Sequence, residues 1–90
     1  MPKADKLLEK MRNSKAGWSA DDLHALYVSF GFDFRQGGKH TIYIHPDFPE
    51  LRATVARHST LAVGYIQHAI SLIDKLKKLK EEAAKDENDP

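Results

Sequence analysis

Apolar positions recur at helical spacing toward both ends of this chain and alternate with polar ones in its middle. From Ala4 to Arg12, Leu7, Leu8 and Met11 share one face of a 3.6-residue repeat, which predicts a short basic helix that packs only in part. Asn13 to Gly17 reads as a turn. Ser19 then offers an N-cap, and Asp22 three residues later gives a weak form of the capping box. Asp21 and Asp22 suit the positive end of that helix. Leu23, Leu26, Tyr27 and Phe30 form its apolar stripe, and Gly31 fits a left-handed C-terminal cap.

The middle of the chain predicts three strands. Phe32 to Gln36 alternates apolar and polar residues, and Gly37-Gly38 is a hairpin signal. Lys39 to His45 is rich in β-branched and aromatic residues and ends at Pro46-Asp47-Phe48-Pro49. Leu51 to Arg57 is the third strand, and the short connections predict an antiparallel meander. A long helix follows from Val63 to Ala84, with Ile66, Ile70, Ile73 and Leu76 as its buried stripe and Ala69 and Leu72 beside it. Beyond Leu76 the pattern decays, and Lys85 to Pro90 is expected to be disordered.

The expected fold is therefore α+β: a three-stranded antiparallel sheet covered on one face by two helices, plus the short N-terminal helix. Helix, three strands, helix is the order of the double-stranded-RNA-binding domain. Strand period assigns Phe32, Phe34, Ile42, Ile44, Leu51, Ala53 and Val55 to the covered face. It assigns Asp33, Arg35, Lys39, Thr41, Tyr43, His45, Arg52, Thr54 and Ala56 to the open one. The chain divides into a short helical segment over 1–17, one folded domain over 18–80 and an acidic tail over 81–90.

Composition narrows the function. Ninety residues suit one domain. The absence of cysteine excludes disulfides and thiolate metal sites. No apolar run approaches the ~18 residues of a membrane span, and Met1 to Lys6 lacks a signal peptide's apolar stretch, so a cytoplasmic location is expected. The net charge of +1 hides an asymmetry. Residues 1 to 80 carry 13 basic and 8 acidic side chains, while residues 81 to 90 carry five acids against Lys85. A basic body suits an anionic partner such as nucleic acid, although a soluble surface with a solvated tail is the plainer reading.

Of the five histidines, His24 and His68 flank helical stripes and read as structural or exposed. His40, His45 and His58 lie on or beside strands, near Lys39, Arg52 and Arg57. Imidazole carries protons near neutral pH, and lysine and arginine pair with phosphate. That grouping fits RNA cleavage in which an imidazole takes the 2′-hydroxyl proton and a cation stabilises the phosphate. The scheme needs no metal or other cofactor. On the residues alone, a strand-end histidine bonded to solvent or backbone is the plainer reading of His40.

Gly31-Phe32, Gly37 to Pro46, Thr54 to His58 and Gly64-Tyr65-Ile66 together resemble the HicA-like toxins, over roughly residues 18 to 76. The resemblance implies a double-stranded-RNA-binding-domain fold, metal-independent cleavage of mRNA and a HicB-like antitoxin that covers the site. It puts His40 at the catalytic position if Gly37 is the motif glycine, and Thr41 there if Gly38 is. Lys39 and Arg57 are then expected on the scissile phosphate, with Arg35 and Arg52 along the groove and Tyr43 stacked on a base. His45 and His58 are accessory candidates, His45 chiefly as a cap on its strand. Ala56 stands where the family's third strand commonly has proline. Two other readings stay open: an RNA-binding module without activity, and a protein-interaction domain that dimerises through Leu72, Leu76 and Leu79.

Overall fold

In the computed structural model, which describes residues 3–57 and 60–88, the chain runs α1 (Lys3–Asn13), α2 (Ala20–Ser29), β1 (Asp33–Gln36), β2 (His40–Ile44), β3 (Arg52–Ala56) and α3 (Val63–Asn88). The sheet is antiparallel in the order β1-β2-β3. This is a small α+β protein with three helices and one open three-stranded sheet.

Local chemistry fixes both ends of α2. The Ser19 backbone N–H donates to the Asp22 carboxylate at 2.9 Å, and the Asp22 N–H donates to Ser19 Oγ at 3.2 Å. That is a complete capping box built with aspartate. At the other end Gly31 adopts φ +87, a region that disfavours side chains. The Gly31 N–H donates to the Val28 carbonyl at 3.0 Å and the Phe32 N–H to the Tyr27 carbonyl at 3.1 Å, the paired bonds of a Schellman motif. Its apolar contact is present as well, since Phe32 meets Tyr27 edge-on at 5.0 Å.

The β1–β2 turn closes on a 2.8 Å hydrogen bond from the Gly37 N–H to the His40 carbonyl. Neither Gly37 nor Gly38 uses a positive φ. Gly37 instead allows a close approach, because an added Cβ would sit 3.3 Å from the His40 oxygen. Between β2 and β3, the buried His45 ring organises the connection. Its Nδ1 accepts from the Asp47 N–H at 3.1 Å, and the ring packs against Phe32 and Phe48.

All three helices feed one core. The α3 stripe packs as its spacing predicts, with Ile66, Ala69, Ile70, Leu72, Ile73 and Leu76 buried. Leu72 and Leu76 are thus used inside the chain, and Leu79 packs partly against the same core. The helix α1 packs more fully than its length suggests, burying Leu8 and Met11. Arg12 and Asp74 form a two-bond ion pair between α1 and α3, and Lys77 reaches Asp5 at 3.2 Å. The Asp74 carboxylate raises the Arg12 pKa. At these exposed positions such pairs orient α1 more than they stabilise it. The helix α3 continues to Asn88, past the expected end at Ala84 and through most of the segment expected to be disordered. Glu81, Glu82, Ala83, Ala84 and Lys85 are strong helix formers, which accounts for the extension. Asp89 and Pro90 lie outside the described residues.

Two substitutions test this core. Met11→Ala removes a fully buried side chain and is expected to cost about 2–5 kcal/mol in chemical denaturation; a cost near zero would mean α1 is dispensable. The Tyr27 hydroxyl is buried without a hydrogen-bond partner. Tyr27→Phe is therefore expected to be neutral or stabilising by up to about 1 kcal/mol, read as the shift in denaturation midpoint.

Candidate functional site

The central strand faces the opposite way from its hydrophobic pattern. Thr41, Tyr43 and His45 point to the helices and are buried, while Ile44 is exposed and Ile42 only half-buried. This corrects five assignments at once: Thr41, Tyr43 and His45 leave the open face, and Ile42 and Ile44 join it; Ala56, also expected on the open face, is buried as well. The reason is aromatic packing. The Tyr43 ring stacks on Tyr27 at 4.5 Å between centroids and 23° between planes. Its hydroxyl meets His24 Nδ1 at 2.8 Å. A tyrosine with its hydroxyl satisfied buries more surface than an isoleucine, and small Ala53 opposite leaves room for it. On the neighbouring strands, Leu51, Ala53 and Val55 are buried as expected. Phe34 shares the Tyr43 face but lies half-exposed at the sheet edge, edge-on to His24 at 4.6 Å.

The same inversion turns His40 outward. Its residue is exposed, and strand alternation puts it on the open face with Ile42 and Ile44. Tyr43, by contrast, is sealed under α2 and offers no ring to a base from that face. Register sets the cations around His40. Arg35 pairs with Ile42, so it is the diagonal neighbour of His40, at roughly the 7–8 Å of such positions. Arg52 pairs with Ile44, further along. Arg35, Arg52, Ile42 and Ile44 line a shallow cleft of about 430 Å³ with Asp33, Phe34 and Pro46.

Arg57 belongs to a different cleft. With Gln36, Thr41, Tyr43 and Val55 it lines a space of about 470 Å³ on the helix side, closed by Ser19, Ala20, Asp21 and His24 from the start of α2. His40 and Arg57 therefore do not converge on one face. Lys39 is exposed at the turn, and its carbonyl accepts from the Arg57 N–H at 3.1 Å, which links the turn to the Arg57 cleft at that end of the sheet. No family model matches the chain, and no curated protein or solved structure matches it either.

His24 is the residue that sequence reading set aside. It is held by Tyr43 on one side and Phe34 on another, inside the second cleft. The available signal was its position three residues before Tyr27, which puts both rings on one helix face above the central strand. His45 is buried, and its Nδ1 is committed to the Asp47 N–H, so its role is in the turn. His68 is exposed on α3. His58, an accessory candidate, lies outside the described residues. Among the described residues, no group of three or more His, Asp or Glu converges as a metal site. None of the described helices is long and apolar enough to cross a membrane.

Burial pushes the Tyr43 hydroxyl up to about 12, with the Asp21 carboxylate adding to the rise and a Thr41 hydrogen bond opposing it. Burial also raises Tyr27. Both folded values lie above the ordinary ~10, so the folded state holds these protons more tightly. Their contribution to stability is complete below pH ~10 and is lost as pH rises through the folded values. The melting temperature is expected to fall between about pH 10 and 12, together with a rise in tyrosinate absorbance. In a Tyr65→Phe background, which leaves only Tyr27 and Tyr43, tyrosinate appearing well before unfolding would contradict the buried stack.

Proposed function

We propose that this chain is a cytoplasmic RNA-binding domain of the HicA-like, double-stranded-RNA-binding-domain type that cleaves mRNA without a metal. A HicB-like antitoxin is its proposed protein partner. The observation that carries the reading is the exposed imidazole of His40 at the Gly37-Gly38 turn, on the face that also bears Arg35 and Arg52. The chemistry asks for little else. His40 takes the proton of a ribose 2′-hydroxyl, the 2′-oxygen bonds to phosphorus, and the bond from phosphorus to the 5′-oxygen breaks. The 5′-oxygen leaves as a hydroxyl with a proton from water, and the other product ends in a 2′,3′-cyclic phosphate. Arg35, diagonal to His40, stabilises the charge on the phosphate, with Lys39 at the turn beside it. Arg52 then tracks the RNA backbone along the open face.

One observation favours a second reading, a module that binds RNA without cutting it. Among the described residues no side chain hydrogen-bonds the His40 ring, whereas an oriented base usually has such a partner.

Cleavage of a defined RNA separates the two. His40→Ala is expected to lower the rate about 10²–10⁴-fold while leaving affinity within about twofold. Arg35→Gln is expected to weaken both binding and cleavage, and to flatten the logarithmic dependence of affinity on salt by roughly 0.7. Binding that survives with no cleavage by the unmodified chain would leave the module. Cleavage unaffected by His40→Ala would remove His40 from the chemistry.

A further inference from the structure

The cleft that holds Arg57 is a second surface with a defined chemistry. Its two formal charges, Asp21 and Arg57, come from opposite walls, one from the first turn of α2 and one from the end of β3. The described ion pairs join Arg12 to Asp74 and Lys77 to Asp5, so Asp21 and Arg57 face one space without closing on each other. Between them stand the Gln36 amide, the buried Thr41 and the His24 ring. Its capping box occupies the Ser19 and Asp22 N–H groups, and the Asp21 carboxylate repels anions there. A phosphate therefore fits this cleft poorly. A flat ligand with hydrogen-bond donors along one edge and acceptors along the other fits it well.

We infer that this cleft binds one nucleobase of the RNA, with the hydrogen-bonding pattern of guanine. The inference rests on the RNA-binding reading above. The guanine N1–H and amino group donate to Asp21, its O6 and N7 accept from Arg57, and Gln36 can serve either edge. The His24 ring, fixed by Tyr43 and Phe34, offers a flat surface to the base. The Lys39–Arg57 backbone bond joins this cleft to the turn that carries His40. An RNA strand rounding that end of the sheet has one base in the cleft and a neighbouring phosphodiester at His40. The cleft is then the specificity element of the cleavage site.

Nucleosides test the cleft without any phosphate. Guanosine, adenosine, cytidine and uridine are each titrated into the full chain, following backbone amide NMR shifts. Guanosine alone is expected to move the amides of Asp21, Gln36 and Arg57, and Asp21→Asn is expected to weaken it about five- to hundredfold. Equal responses to all four nucleosides, or none at those amides, overturns the inference. Mapping cut sites separates it from the function it rests on. Cleavage that needs His40 but shows no preference for guanine, and no change with Asp21→Asn, removes the base site and keeps the nuclease. Guanosine binding in a chain that neither binds nor cuts RNA keeps the base site and removes the nuclease.

Discussion

The seat of Tyr43 decides how this molecule presents itself. Side chains on a strand alternate, so committing one position of β2 to the core commits every other one. Tyr43 gains a stacked partner in Tyr27, a hydrogen-bond partner in His24 and a small neighbour in Ala53. Those three contacts come from two different elements, and none is available to Ile42 or Ile44. The cost is two isoleucines turned toward solvent on a strand flanked by Arg35 and Arg52, whose aliphatic stems line the same shallow cleft. The consequence is that His40 stands outside with them.

The helices were legible because their signals are local. Capping residues, a stripe and a terminal glycine all lie within α2 itself, and each bonds as those residue types predict. The existence and order of the strands were legible from β-branched residues and turns. The face of β2 was not. Thr41, Tyr43 and His45 alternate with His40, Ile42 and Ile44, and by hydropathy alone the isoleucines belong inside. What reverses the choice is that polar atoms moved inward find partners outside the strand: His24, far back in the chain, for Tyr43, and the Asp47 N–H of the following turn for His45. A pattern read along one strand cannot contain those partners. His24 and Tyr27, three apart on α2, were the one clue available beforehand, since two rings on one helix face call for an aromatic strand beneath.

The two ends of the chain show the same limit. In isolation α1 is short and basic, and helices of that length are marginal without tertiary contacts. Its Leu8 and Met11 nonetheless enter the main core, because α2 and α3 present a groove that no property of residues 3–13 reveals. At the other end, the spacing of Leu72 and Leu76 suits both a dimer seam and an internal stripe. Only the packing of α3 over the sheet decides in favour of the internal stripe.

The candidate site was legible in its residue types and not in its grouping. Lys39, His40 and Arg57 converge when β2 and β3 are drawn flat, since His40 pairs with Ala56 and Arg57 is the next residue. Pleating separates them: Ala56 shares a side with His40, and Arg57 turns to the other. Arg35, two positions along the register, becomes the cation on the side of His40. This rearrangement strengthens one part of the proposed chemistry and constrains another. A base and a phosphate-binding cation on one exposed face can act on a single phosphodiester without any movement of the fold. Arg57 can take part only if the RNA passes over the turn at the sheet's end. That turn is where Gly37 leaves no side chain in the way and where the backbone bond between Lys39 and Arg57 holds the two faces together. Under the proposed function, the path of the RNA is therefore set by the hairpin rather than by the broad face of the sheet.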